Sequence, residues 1–182
     1  MQTHFATIPI NYTGRELRSH WLLDTLGLRG DACAGFRGPC RVELSEMVDK
    51  ADVARGVGIE AREMLHFLCE FFDPDLPKTI LRQRLLVAIA AEQLAGVTGL
   101  RRNGDDLYVG ERKLSVSIAT VSPVSSLIHF ALNIDPTGAP VPAVGLAELG
   151  VEPEQFARRL MTAFAEELES IDAARCKVRP VP

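Results

Sequence analysis

The sequence is short of the features that would tie it to a membrane, a nucleic acid or a metal. Its longest apolar run, residues 85–91, falls far below the ~20 residues that span a bilayer. The first fourteen residues, MQTHFATIPINYTG, contain neither a basic stretch nor a long apolar one, so no secretory signal is expected there. Cys33, Cys40, Cys69 and Cys176 are widely spaced, with no C-x-x-C and no flanking histidine pair. A disulfide framework or zinc site is therefore not expected, and reduced thiols in a cytoplasmic protein are. The basic residues are dispersed and the formal charge is −4, which excludes a field attracting nucleic acid or an anionic membrane. No phosphate-binding Gly-Lys-Ser/Thr loop, H-E-x-x-H or G-x-S-x-G occurs, and Gly56-Val57-Gly58 lacks the third glycine of a dinucleotide fingerprint.

What is present fits one soluble domain over residues 1–182, with 47% hydrophobic and 24% charged residues. Residues 5–10 are expected to form a short edge strand closed by a turn, with Thr13 as helix N-cap. Leu17, Trp21 and Thr25 then make a helical stripe that stops at Gly27. Residues 31–42, with Gly35, Gly38 and Pro39, suggest two short extended pieces around a bend, and 45–63 a short helix plus loop. Residues 64–72 suggest a buried strand, and 78–95 the strongest helix, with Gly96 at C′.

A β-meander follows. Residues 98–102 lead into Asn103-Gly104, which suits a type I′ hairpin, and residues 105–109, 112–120 and 125–134 supply further strands. Glu152-Pro153-Glu154 opens a last helix in which Phe156, Leu160, Phe164 and Leu168 recur at four-residue intervals. The order implies an α+β fold with a mainly antiparallel sheet and packed helices.

Strict alternation over 112–120 separates Leu114, Val116 and Ile118 from Lys113, Ser115, Ser117 and Ala119. In the next strand, Ile128, Phe130 and Leu132 separate from His129, Ala131 and Asn133. One face is core. The other is lined by small hydroxyl residues, which leave room for a packed helix or a ligand. A lysine aimed at such a covered face needs an anionic or carbonyl partner. Lys113 is thus the leading candidate for catalysis or ligand contact, with Ser115, Ser117, His129 and Asn133 as ligand-binding candidates. His129 also suits a hydrogen-bonded core position, and Asn133 a cap for the turn at Asp135.

Asp105 and Asp106 should point to opposite faces, one pairing with Arg102 or Arg112 and the other supporting the turn. Asp106 joins the ligand-binding candidates. Cys40 lies in a glycine- and proline-shaped bend between Arg37 and Arg41, and nearby guanidinium groups favour a thiolate. It is the candidate nucleophile, or else a small core residue.

Residues 104–119, GDDLYVGERKLSVSIA, resemble the Asp…Gly…Lys hairpin shared by biotin ligases, lipoate ligases and octanoyltransferases. The continuation SSLIHFALNIDPTG is similar to the His…Ala-Leu-Asn run of the octanoyltransferases. The resemblance implies that Lys113 contacts an acyl carbonyl or an adenylate, and that His129 and Asn133 match the His and Asn of the next strand. Two positions depart from the pattern. Val144 stands where those transferases carry an acyl-accepting cysteine, and the arginine- and glycine-rich loop upstream has no counterpart. The whole chain, including FRGPCRVELSEMVDKADV, MLHFLCEFFD and the terminal helix, resembles the domain-of-unknown-function 366 family of archaea and anaerobic bacteria.

The resulting expectation is a ligand-binding domain with a biotin/lipoate ligase-like fold and a pocket centred on Lys113. Its ligand would be a small carboxylate or an acyl/adenylate-type molecule. An acyltransferase or acyl-adenylate ligase acting on lipoyl or octanoyl groups is the alternative. A covered sheet face or an antiparallel edge could instead serve a homodimer.

Overall fold

A computed structural model describes residues 1–181. Its core is a five-stranded sheet in the order β1 (Gln2–Ala6), β2 (Ala32–Val42), β3 (Ile59–Phe71), β8 (Ser126–Asp135), β7 (Ser115–Val121). All pairs are antiparallel except β1 with β2 at one edge. A smaller antiparallel sheet holds β4 (Leu100–Asn103), β5 (Asp106–Val109) and β6 (Arg112–Lys113). Helices α3 (Leu76–Gln93) and α4 (Pro153–Cys176) cover one face of the large sheet. The short α1 (Trp21–Leu26) packs on the other, and α2 (Lys50–Arg55) buries no side chain. The α+β class and the mainly antiparallel sheet are as the sequence implies.

The register sorts the side chains cleanly. Leu65, Phe67, Cys69, Ile128, Phe130 and Leu132 face α3 and α4, while Met64, His66, Leu68, His129 and Ala131 face the opposite side. Phe156, Leu160 and Phe164 of α4 are fully buried against the first group. Burying such side chains contributes roughly 1.5–3 kcal/mol each. No helix is long and apolar enough to cross a membrane among the described residues.

Several local expectations change. The first strand ends at Ala6, and the chain re-pairs with β2 at Tyr12, whose N–H donates to Pro39 O at 2.9 Å. Thr13 caps no helix, since its own N–H donates to Glu16 Oε2. Helix α1 starts only at Trp21 because His20 holds a left-handed φ of 64° while its N–H donates to the Glu70 carboxylate. Residues 31–42 are not two pieces but one strand with a bulge between Gly38 and Cys40. The strand β3 reaches back to Ile59, into the stretch expected to be loop. Helix α3 is capped by Asp75 at its start and ends at Gln93 with Leu94 as its C-cap, so Gly96 does not serve as C′. At the hairpin only Gly104 has positive φ (66°), not Asn103. Gly104 and Asp105 are the two loop residues, with glycine first, where type II′ rather than type I′ turns require it.

Gly38 is fixed by close approach. A Cβ there would meet Ile10 O at 1.9 Å and Ile10 C at 2.7 Å, both backbone atoms with no room to yield. Gly38→Ala is expected to cost about 1–3 kcal/mol or more in urea unfolding, as overpacking does. A Cβ at Gly96 meets nothing within 4 Å, so Gly96→Ala should be neutral or slightly stabilising. Equal stabilities for the two variants would contradict this account.

Candidate functional site

The face of the sheet opposite α3 and α4 is only partly covered, and a cavity of about 480 Å³ remains above β7 and β8. Its floor is Val116, Ile118, His129 and Asn133. Its walls come from Tyr12, the 46–60 segment, the β5–β6 hairpin and the 139–143 loop. What reaches the floor is decided at Leu114, between β6 and β7. Leu114 N donates to Leu107 O at 2.8 Å and Asn133 N donates to Leu114 O at 2.9 Å, so one strand passes from the small sheet to the large one. Leu114 is fully buried on the helix side, and Ser115, paired with Leu132, faces the same way. Two successive residues on one side break the alternation, and every later side chain is flipped.

The expected faces of 115–119 are therefore inverted. Val116 and Ile118 face the cavity with His129 and Ala131, while Ser115, Ser117 and Ala119 pair with Leu132, Phe130 and Ile128. Ser115 Oγ accepts from Leu107 N at 2.8 Å, and Ser117 Oγ from Gln83 Nε2 of α3 at 2.7 Å. Both residues border the cavity, but their hydroxyls are engaged on the helix side. The packed-helix alternative holds for them.

Lys113, before the break, keeps the cavity side. Asp106, Tyr108 and Lys113 share one face of the small sheet, and Lys113 Nζ lies 2.9 Å from Asp106 Oδ2. Tyr108 OH donates to the same oxygen at 3.4 Å, and the Arg101 guanidinium stands 4.4 Å over the Tyr108 ring. Burial raises the Asp106 pKa above the usual aspartate value even though the Lys113 ammonium opposes the shift. The charged partner expected for Lys113 is thus internal, and the requirement for an electron-rich guest does not hold. Asp106 does not pair with Arg102 or Arg112, and Asp105 pairs with Arg84 at 3.2 Å. Asn133 caps no turn. Its Nδ2 donates to Lys113 O and Val144 O, both at 3.2 Å, fastening the Lys113 backbone to Val144, next to the 139–143 loop.

Sequence reasoning missed His66. It stands on β3, in a stretch read simply as buried strand. His66 Nδ1 lies 3.1 Å from His129 Nε2, and His66 Nε2 lies 3.3 Å from Gly38 O. Tyr12 stacks on His129 at 3.8 Å between ring centroids, and Phe36 on His66 at 4.9 Å. Desolvation pushes His66 down to about 3, against the bond to Gly38 O, and burial with the His66 neighbour holds His129 well below the usual histidine range. Only the strand register could have revealed the pair, because the two histidines are 63 residues apart in sequence.

Cys40 is 1% exposed and does not line the cavity. Burial, with Glu16 adding to it, pushes its thiol up to about 12, and Arg37 and Arg41 pair with Glu63 and Glu43 instead. Of the two readings of Cys40, its burial and raised thiol pKa fit the small core residue and not the nucleophile.

The histidine pair makes stability depend on pH. An unfolded chain takes up histidine protons near pH 6.5, whereas folded His66 resists until about pH 3. The folded state therefore binds fewer protons, and stability is complete above about pH 6.5 and falls as pH falls below it. Between about pH 7.5 and about pH 5.5 each histidine should cost about 1.4 kcal/mol in urea unfolding, a slope removed in the His66→Gln/His129→Gln double variant. An unchanged slope in that variant would contradict the buried neutral pair.

The comparisons with known proteins bear on the family and the fold. An uncharacterised protein of Methanocaldococcus jannaschii is 34% identical over all of this chain and 86% of its own length. The structure of a protein of unknown function from Pyrococcus horikoshi superposes with a TM-score of 0.94 at 41% identity, over 100% of this chain and 99% of that one. The biotin protein ligase of Aquifex aeolicus, in complex with biotin and ATP, has a TM-score of 0.60 at 16% identity, over 92% of this chain and 70% of that one. A T. acidophilum protein described as a candidate lipoate protein ligase, with lipoic acid bound, has a TM-score of 0.56 at 13% identity, over 93% and 86%. Identities this low show the fold alone, a biotin/lipoate ligase-like one. The model of the domain of unknown function DUF366 matches residues 1–179, and the chain belongs to that family.

Proposed function

We propose that the protein binds a small carboxylate or acyl/adenylate-type ligand in the cavity over Lys113, with the ammonium contacting a carboxylate or carbonyl oxygen. The observation that carries this reading is the cavity. Its volume of about 480 Å³ lies within the ~300–1,000 Å³ of small-molecule sites. It combines apolar lining at Leu17, Val42, Val116 and Ile118 with a few convergent polar groups at Lys113, Asp106 and His129. The ligands named for structures of the same fold, biotin with ATP and lipoic acid, support the same chemistry.

Charge narrows the choice. Glu46, Asp49, Asp52, Glu60, Asp105 and Asp106 line the cavity, against Arg55 and Lys113. That balance disfavours a polyanion such as a free triphosphate far more than a single carboxylate met by Lys113, and it does not oppose an uncharged acyl group. Acyl transfer or acyl-adenylate ligation on lipoyl or octanoyl groups is the second reading, favoured by the neighbours' ligands. It lacks a cysteine in the cavity, since Cys40 is enclosed in the core and position 144 is a buried valine. Binding needs no such group.

An incoming carboxylate competes with Asp106 for Lys113. A thermal-shift series with octanoate and lipoate should raise apparent stability by about 2.7 kcal/mol at a hundred times Kd. Lys113→Ala should abolish the shift, and Asp106→Asn should tighten carboxylate binding several-fold by removing the competitor. No shift with either acid, or an equal one in Lys113→Ala, defeats the proposal.

A further inference from the structure

His66 and His129 constrain each other's protons. Gly38 O can only accept, so the His66 Nε2 facing it at 3.3 Å carries the hydrogen. Neutral His66 is then left with a bare Nδ1, and the His129 Nε2 at 3.1 Å must donate to it. By elimination the remaining nitrogen of His129, Nδ1, carries a lone pair and no hydrogen. No protein group bonds to that nitrogen among the described residues. Gln93 Oε1 is the one enclosed side-chain atom without a partner among them, so His129 Nδ1 is not sealed in the core. The residue lines the cavity, with one ring face closed by Tyr12.

We infer that His129 Nδ1 is a fixed acceptor-only contact in the cavity, selecting ligands that present a neutral N–H or O–H donor, with His66 as the positioning residue that sets its tautomer. The inference rests on the proposed ligand cavity and adds the chemistry of its floor. An amide-type N–H or a hydroxyl fits. A ligand offering only acceptors there leaves Nδ1 without its hydrogen bond and sets two lone pairs against each other. The group is a poor general base, because burial and the neighbouring His66 both oppose the imidazolium. Its contribution is recognition.

The test uses 15N-histidine spectra of the intact protein. Without ligand, His129 should show a bare Nδ1 and a protonated Nε2, coupled across the hydrogen bond to His66 Nδ1. A protonated Nδ1 overturns the inference. Indole and benzofuran, alike in shape but differing in the N–H, are then titrated. Indole should move the Nδ1 resonance and bind about tenfold tighter, the value of one hydrogen bond. That preference should vanish in His66→Phe, while a thermal-shift measurement checks that the variant is folded. Equal responses to the two probes, or none to indole, overturn the inference. Octanamide and methyl octanoate repeat the comparison on an acyl chain. If indole responds and neither acyl probe binds, the acyl reading fails and the donor selection stands.

Discussion

The change of side at Leu114 governs the contents of the cavity, because one strand has to serve two sheets. With uninterrupted alternation Lys113 would point with Ser115 and Ser117 toward α3, placing an ammonium in an apolar core at a cost of several kcal/mol. The break lets Leu114 fill that core and leaves Lys113 on the open side. Asn133 stabilises the break, since its side-chain amide joins the carbonyls of Lys113 and Val144. The serines past the break are small where Gln83 of α3 approaches, and their hydroxyls bond on that side.

Polar groups this deep in a fold are tolerable only if their charges are paired or suppressed. Lys113 and Asp106 neutralise one another at 2.9 Å, and the two histidines remain uncharged. The chain of contacts runs on into the fold. Ile10 crosses over Gly38 beside the β2 bulge, the Gly38 carbonyl faces His66 Nε2, and His66 Nδ1 faces His129 Nε2. A backbone approach that looks purely architectural thus bears on which imidazole nitrogen, and with it which lone pair, faces the cavity.

Much of the fold was legible in the sequence, because its signals are local. The helical spacing in 78–95, the Glu152-Pro153 helix start and the alternation in 125–134 all correspond to elements of the structure. Misreadings fell where long-range contacts override local signals. Gly35, Gly38 and Pro39 resemble turn residues, yet a continuous strand uses them for close packing and a bulge. Lys113, Asp106, His129 and Asn133 could be picked out by residue type on a meander. Their mutual arrangement could not, since a single skipped position inverts a face and the His66 partner lies on a distant strand.

The two faces of the central sheet differ in chemistry. On the helix side the floor is Leu65, Phe67, Phe130 and Leu132, the composition that packing alone favours. Opposite, the same strands set His66, His129 and Asn133 among Met64, Leu68 and Ala131, with Tyr12 against the two imidazoles. Ordinary apolar side chains would pack there without requiring hydrogen-bond partners, and buried polar groups replaced by apolar ones of similar shape often leave stability unchanged or improved. A sheet that buries hydrocarbon on one side and fixes imidazole tautomers on the other is not optimised for stability alone. Its polar side borders the open volume above Val116 and Ile118, and the small-molecule recognition proposed above is a use that would compensate for it.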